Sequence, residues 1–410
     1  MNSSACAERL AAILLLAAAP LAAAGCAPGG PGFDSPRPGR LPEHPVFQPE
    51  PSRAARRVLL AVRSTDGDLS WQRPILERLP RYSKVELLVP EELESRIREE
   101  LLSRPVPPSV EIVPYGRPAP PWSAFFLLLP DRDRLVRVLP QDEELAFLHG
   151  TRWAQDLFEV VRDGAELVLL APWVQRHLLG PPDAAPGRLV PDTAFVDHLR
   201  LPGARVAVLP AAFNGGNVVA DVVGGRRVVI VGGDAVRKTR TLARAFGDAP
   251  PGPAELARLF GRALGADETV ILDPGRPQPA LLYHLDQVIL PLGEDRIALA
   301  LPQVGPGDPP AVRDAAAFAV RLRSRLSRLG YRIVEIPVSG ADLAAYRHPL
   351  NAVPYTDAET GRRTLLLPRF PGGAAFDPAP FAEAGYRVVE VPTAASDLKG
   401  GVHCLVNVLE

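Results

Sequence analysis

The chain has 410 residues, a formal net charge of -1 at pH 7, and 47% hydrophobic and 23% charged residues. This composition is typical of a globular protein with one large domain or two medium ones. Because no run of lysines or arginines stands out, the sequence does not favour a nucleic-acid partner.

The N-terminal region has the features of a leader. Residues 10–25 are apolar and rich in Leu and Ala, and they are too short for a comfortable membrane span. They end at Ala23-Ala24-Gly25-Cys26, which resembles a bacterial lipoprotein signal with Cys26 as the acylated residue. We therefore expect residues 1–26 to be a signal peptide and the protein to be exported, to the periplasm or the cell surface. Its contact with a membrane would be a lipid on Cys26.

The next segment differs in composition from the rest of the chain. Residues 27–55 are rich in Pro, Gly and Ser, which predicts a flexible tether. We expect the folded domain to occupy residues 56–410.

An internal repeat organises this domain. Residues 330–337 recur closely as residues 385–392, and looser copies occur at 83–90, 204–210 and 268–274. Each copy is a short β-branched run closed by proline, which predicts a buried strand that leads into a loop.

Further patterns complete the repeated unit. Strands are predicted at 227–231, 296–301 and 364–367, and amphipathic helices at 253–264 and 310–329. The unit is strand, polar loop, strand, helix, strand, and it recurs about five times. Since such units cannot bury their apolar faces alone, they must pack on one another. We expect a single α/β domain whose repeats close around an axis and bring their loops to one central site.

The polar loops carry chemically reactive side chains. We expect two of these, His284 and Asp286, to lie on one strand and to point the same way, because strand residues alternate in facing. A thiol, a histidine and two carboxylates would then share one cleft. In chain order, the loops hold Arg152, Trp153, Gln155 and Asp156; Asn214, Gly215, Gly216 and Asn217; His284 and Asp286; and His403 and Cys404.

Cys404 is the expected nucleophile. Cys6 lies in the leader and Cys26 is the expected lipid site, so Cys404 would be the one free thiol of the mature chain. Exported proteins usually pair their cysteines, and a single retained thiol beside a histidine favours catalysis. Many lone cysteines are nevertheless small buried apolar residues.

The other motifs also have common structural explanations when each is taken alone. Gly-Gly-Asn is typical of a tight turn, His-x-Asp of a local hydrogen bond, tryptophan of a core and aspartate of a helix cap. Their equivalent places in a repeated unit favour a shared function. His177, His198 and His348 lack such neighbours, and we expect them to be structural.

Together the four reactive side chains suit a planar, cationic substrate. Two aspartates can bind the NH groups of a guanidinium from two sides, which leaves its central carbon exposed to a thiolate. A histidine can protonate the departing ammonia and then activate the water that hydrolyses the covalent intermediate. A cysteine protease also needs Cys and His but has less use for a second carboxylate beside the reacting group.

These motifs, in this order, resemble those of the guanidine-modifying enzymes of the pentein fold, a five-bladed ββαβ propeller. The nearest resemblance is to the catalytic domain of protein-arginine deiminases. Residues 152–156 match their Arg-Trp-x-Gln-Asp motif, residues 284–286 their His-x-Asp motif, and residues 402–408 their Val-His-Cys-x-x-Asn-Val motif. Agmatine deiminases usually place Glu before Gly-Gly-Asn. In this chain the residue before Gly-Gly-Asn is Asn214. Protein-arginine deiminases also lack the Glu, so the difference favours the protein-directed branch.

The resemblance implies a role for each residue. Cys404 would be the nucleophile and His284 the general acid and base, while His403 would only flank the nucleophile. Asp156 and Asp286 would bind the guanidinium. The expected substrate-binding residues are Trp153 along the aliphatic stem, Gln155 at the substrate backbone, Arg152 and Asn217.

The resemblance also bears on cofactors. The vertebrate enzymes need calcium, but this chain has no acidic run with the spacing of a calcium loop. We therefore expect neither a metal nor another cofactor to be required.

The main expectation is hydrolysis of arginine residues, in a protein or peptide partner, to citrulline and ammonia through a thiouronium on Cys404. One alternative is the same chemistry on a small guanidine such as free arginine or agmatine. Another is a catalytically silent pentein that serves as a surface-binding lipoprotein. A cysteine-dependent protease or acyl transferase is a more distant alternative.

Overall fold

A computed structural model of the chain describes residues 40–410, apart from residues 64, 116–123, 130–133, 139–151, 174–176, 181–189, 192–203, 247 and 374–375. All the described residues belong to one compact unit. The leader, Cys6 and Cys26 lie outside the described residues, as does His198, so export and lipidation remain predictions.

The described strands are β1 Pro45–Val46, β2 Arg57–Ala61, β3 Lys84–Pro90, β4 Ser109–Tyr115, β5 Ala124–Leu129, β6 Arg134–Val138, β7 Glu159–Asp163, β8 Glu166–Pro172, β9 His177–Gly180, β10 Val190–Pro191, β11 Ala204–Leu209, β12 Val218–Val223, β13 Arg226–Val231, β14 Glu268–Ile271, β15 Ile289–Gly293, β16 Arg296–Gln303, β17 Arg332–Ser339, β18 Val353–Thr356, β19 Arg363–Arg369, β20 Arg387–Pro392 and β21 Val406–Val408. The α-helices are α1 Arg73–Leu76, α2 Glu94–Ser103, α3 Asp234–Phe246, α4 Pro253–Leu264, α5 Pro310–Leu329, α6 Gly340–Ala344, α7 Ala379–Glu383 and α8 Val402–Leu405. None of these helices combines the length and the apolar character that a bilayer crossing requires.

Five of the described sheets share one pairing pattern, in which the middle strand of three has an antiparallel partner on one side and a parallel partner on the other. The five groups are β7-β8-β11, β12-β13-β14, β15-β16-β17, β18-β19-β20 and β21-β2-β3. These five sheets correspond to the repeated units of the sequence. The predicted α/β class is confirmed. The described strands form separate sheets rather than one closed sheet, so the five-bladed closure remains a prediction.

The regular elements agree with the sequence patterns. The helices predicted at 253–264 and 310–329 are α4 and α5, with the same bounds. Helix α5 buries Val312, Ala315, Phe318, Leu322 and Leu326, which recur every three or four residues and face the strands of one core. The spacing of apolar residues therefore fixes which side of the helix packs.

The segment at residues 45–55, here called the N-terminal strap, packs on the domain. Strand β1 pairs with β7, and the Phe47 side chain is buried. The Arg53 guanidinium donates to the backbone oxygen of Val408 at 2.6 Å. Composition assigns the strap to a flexible tether because it is rich in proline. The folded region nevertheless includes it, since its few apolar and charged side chains find partners on the domain.

Candidate active site

Short helical turns deliver the reactive side chains to one place. Asp156 lies in the 3-10 turn Ala154–Leu157, and Cys404 lies in α8. The prediction that His284 and Asp286 share a strand is wrong. His284 is extended, and a 3-10 turn, Leu285–Gln287, begins directly after it. The His284 N–H donates to Gln287 Oε1 at 3.2 Å, which closes this turn and points both side chains into the site.

The four expected catalytic side chains converge. Cys404 Sγ lies 3.5 Å from Asp286 Oδ2, and His284 Nδ1 lies 3.7 Å from Asp156 Oδ1. One nitrogen of His284, one oxygen of Asp286 and Cys404 Sγ all lie within 4.8 Å of one another. All four residues are buried, with at most 6% of their surface exposed. A thiol, an imidazole and two carboxylates therefore form one buried cluster.

Gly216 makes this convergence sterically possible. A Cβ atom at this position would lie 2.9 Å from Asp286 Oδ2 and 2.9 Å from His284 Nδ1. The Gly-Gly-Asn motif is therefore more than a turn, because only glycine allows its backbone to approach the two side chains this closely. Asn217, expected to bind substrate, exchanges two amide hydrogen bonds with Gln278, at 2.8 and 3.0 Å.

Asn214 contacts the site histidine directly. Its Nδ2 lies 2.8 Å from His284 Nε2. The structure thus places an amide where agmatine deiminases usually carry a carboxylate.

Asn351 is a site residue that the motifs do not reveal. Its Nδ2 donates to Cys404 Sγ at 3.0 Å, and its Oδ1 accepts the Cys404 N–H at 3.1 Å. Its backbone oxygen accepts the N–H groups of Val402 and His403, each at 3.1 Å. A Cβ atom on Gly401 would lie 2.6 Å from Asn351 Oδ1, so glycine is required there too. The repeat offers a partial signal, since it aligns His348, three residues before Asn351, with His403.

The surroundings of Cys404, the expected nucleophile, favour its neutral thiol form. Burial, and then the charges of Asp286 and Asp156, raise the pKa of Cys404 well above its ordinary value. The hydrogen bond from Asn351 acts in the opposite direction. A cation bound between the two carboxylates would offset their charges and make the thiolate easier to form.

His403, expected only to flank the nucleophile, bridges two carboxylates. Its Nδ1 lies 2.9 Å from Asp286 Oδ2, and its Nε2 lies 3.0 Å from Oε1 of Glu50 in the N-terminal strap. Burial alone would lower the pKa of His403, but Glu50 and Asp286 raise it to about 10. His403 is therefore an imidazolium at neutral pH. His348, expected to be structural, is buried, and burial lowers its pKa to about 4.

The predicted substrate-binding residues differ in their surroundings. The Arg152 guanidinium is paired with Asp66 and lies over the Trp71 ring, 4.8 Å from its centroid. Trp153 is partly buried and packs against Gly400 in the loop before the nucleophile.

Two acceptor atoms at the site stand out. Gln155 Oε1 and Asp286 Oδ1 are buried without a hydrogen-bond donor among the described residues. Buried acceptors of this kind fit a ligand that is rich in N–H donors.

The donor atoms do not suit calcium. His284, Asp286 and Cys404 form the one group in the described part of the chain with spacing close enough to contact a single metal ion. Calcium takes roughly six to eight oxygen ligands, and this group offers one carboxylate, an imidazole and a thiol. The expectation of a cofactor-free reaction remains a prediction.

The chain is similar in fold to solved deiminase structures. It matches the agmatine deiminase of C. jejuni over 88% of this chain and 95% of that one, with 10% identity and a TM-score of 0.54. The agmatine deiminase of Enterococcus faecalis matches over 88% and 94%, with 11% identity and a TM-score of 0.52. A Porphyromonas gingivalis protein, provisionally assigned as an arginine deiminase, matches over 88% and 97%, with 12% identity and a TM-score of 0.55. No protein-family profile and no curated protein sequence matches the chain.

These matches confirm the predicted resemblance to the pentein guanidine-modifying enzymes at the level of the fold. With identities of 10–12%, they carry no activity over to this chain.

Proposed function

We propose that the protein hydrolyses the guanidinium group of a small guanidine, such as agmatine, to a urea and ammonia. The observation that carries the proposal is the convergence of Cys404, His284, Asp156 and Asp286 in one buried site. A catalytically silent binding protein would have no need to keep a thiol, an imidazole and two carboxylates in mutual contact.

The two carboxylates bind the substrate. Asp156 and Asp286 accept N–H groups of the planar guanidinium, whose positive charge compensates for bringing two anions into a buried site. Gln155 Oε1 is a further acceptor in this region. The binding of one cation thus supplies donors to Gln155 Oε1 and Asp286 Oδ1, which the described residues leave without one.

The reaction then proceeds through a covalent intermediate. Once the cation has offset the carboxylate charges, the thiol passes its proton to His284, and Sγ bonds to the guanidinium carbon. His284 returns that proton to one nitrogen, the C–N bond breaks and ammonia leaves. His284 next takes a proton from water, whose oxygen bonds to the carbon. The C–S bond breaks, Cys404 is protonated again, and the urea leaves.

A small guanidine is supported better than a peptidyl one. Agmatine deiminases are among the structural matches, and their fold extends over 88% of this chain. Asn214 is the one observation that favours the protein-directed branch, because agmatine deiminases usually carry Glu at that position. By the same fold-level analogy, the repeated sheets form a five-bladed propeller.

The test is release of ammonia and of the urea product by the purified full-length protein. Agmatine, free arginine and a blocked peptidyl arginine are compared, each with and without added calcium. Cys404→Ala, which removes the sulfur alone, is the blank. Turnover of agmatine or free arginine that is lost in Cys404→Ala supports the proposal.

Two results would overturn it. Turnover of the peptide alone would move the assignment to a protein-arginine deiminase. Absence of turnover with all three substrates would favour a binding protein.

A further inference from the structure

The N-terminal strap contributes a carboxylate to the active site. Glu50 begins the 3-10 turn Glu50–Ser52, and only 17% of its side chain is exposed. Its two oxygens lie 3.0 and 3.1 Å from Nε2 of His403, a residue 353 positions away in sequence. The other ring nitrogen of His403 contacts Asp286 Oδ2 at 2.9 Å. One imidazole thus connects a carboxylate of the strap with a carboxylate of the site.

The strap backbone is held in place independently of this contact. The Thr356 hydroxyl donates to the backbone oxygen of Pro51 at 2.8 Å, and the Thr356 N–H donates to that of Arg53 at 2.8 Å. Arg53 is itself bonded to Val408. The Glu50 side chain is therefore presented by a backbone that does not depend on it.

The contacts form an alternating row of charges. Burial would raise the pKa of Glu50, but His403 and Arg53 hold it below its ordinary value. Burial raises the pKa of the neighbouring Glu159 well above its ordinary value, which favours the neutral form of this group. The carboxylates of Glu50 and Asp286 thus lie on either side of the His403 cation.

We propose that Glu50 is a positioning residue of the active site. Its carboxylate neutralises the positive charge of His403, so that the negative charge of Asp286 remains available to attract the cationic substrate. The inference rests on the proposed function. With Glu50, the row carries a net negative charge toward the guanidinium. Without Glu50, His403 and Asp286 would form a neutral pair, and the attraction of the site for a cation would fall.

The consequence is specific to the charge of the ligand. The urea product has nearly the shape of the guanidinium but no charge. Loss of the Glu50 charge should therefore weaken binding of the substrate and leave binding of the product unaffected. A merely structural role for Glu50 would weaken both alike.

The experiment compares full-length wild type with Glu50→Gln, which keeps the shape and removes the charge. Glu43→Gln is the matched control, because the Glu43 side chain is 53% exposed and paired with Arg40 in the same N-terminal segment. Kinetics with agmatine should show a KM raised about tenfold, with kcat little changed. The inhibition constant of the neutral urea product should stay the same, and Glu43→Gln should behave as wild type. Glu50→Asp, which restores the charge, should recover part of the lost KM.

Equal weakening of agmatine and of the urea, or no change in either, would overturn the inference. A second readout does not need turnover. The His403 imidazole, followed by NMR in protein labelled at histidine, should lose its proton at lower pH in Glu50→Gln than in wild type. The same titration in both proteins would also overturn the inference. Absence of turnover in wild type, with the NMR difference present, would instead mark failure of the proposed function.

Discussion

Asn351 holds Cys404 at two points, with its Nδ2 donating to Sγ at 3.0 Å and its Oδ1 accepting the Cys404 N–H at 3.1 Å. Asn351 is completely buried. One side chain therefore both fixes the position of Cys404 and favours its anionic form.

Replacing this amide by a carboxylate should impair the nucleophile. Asn351→Asp keeps the shape but exchanges the N–H donor to sulfur for an acceptor, and a negative charge there would disfavour the thiolate. We expect kcat to fall at least about tenfold, since a hydrogen bond to a charged group is worth about 1.5–3 kcal/mol. Steady-state kinetics, with circular dichroism to confirm the fold, would measure this. Unchanged kcat in a folded variant would contradict the role given to Asn351.

The resting thiol should be unreactive at neutral pH. Because burial and the nearby carboxylates raise the pKa of Cys404, the midpoint of its alkylation by iodoacetamide should lie above that of a free cysteine, about 8.5. The measurement uses a Cys6→Ser, Cys26→Ser background, in which Cys404 is the one remaining thiol. Asp286→Asn should lower the midpoint. A midpoint equal to that of free cysteine would show that the environment does not act as described.

A methyl group at Gly216 should separate the catalytic groups. In Gly216→Ala the new Cβ would lie 2.9 Å from both His284 Nδ1 and Asp286 Oδ2, so these side chains must move. We expect kcat/KM for agmatine to fall by about a hundredfold, as when catalytic groups are displaced by an ångström. Gly275→Ala is the matched control, because nothing lies within 4 Å of a Cβ there. Equal activity of the two variants would mean that the close approach is not needed.

The stability of the fold should depend on pH through His403. The pKa of His403 rises on folding from 6.5 to about 10. The folded state therefore binds the proton more tightly, and the resulting stabilisation is complete below about pH 6.5 and is lost as pH rises through about 10. Melting temperatures between pH 6 and pH 10 should fall more steeply for wild type than for His403→Gln. Parallel curves would show that His403 does not carry this proton.

Much of the fold could be predicted because its information is local. Helices α4 and α5 have the bounds that their apolar spacing predicts. The sequence copies at 330–337 and 385–392 contribute strands β17 and β20, each of which pairs in parallel with the middle strand of its own sheet. Short motifs also identified the four reactive side chains that converge. The wrong prediction, a strand through His284 and Asp286, concerned a stretch too short for periodicity to distinguish a strand from a 3-10 turn.

Other parts of the site depend on contacts between distant residues. Asn351 belongs to no recognisable motif. Its role arises because Cys404, 53 residues further along the chain, packs against it. Glu50 stands in a proline-rich segment whose composition predicts a tether, whereas the structure buries Phe47 of the same segment. Local composition does not reveal such partners, because the sequence around a charged residue can be the same whether its side chain is exposed in a linker or paired in a buried site.

The contact between Glu50 and His403 has a practical consequence for protein production. A recombinant chain begun at residue 56, where composition suggests that the domain starts, would lack the carboxylate that contacts His403. Such a truncated protein should bind a cationic substrate more weakly, although Cys404, His284, Asp156 and Asp286 are all still present.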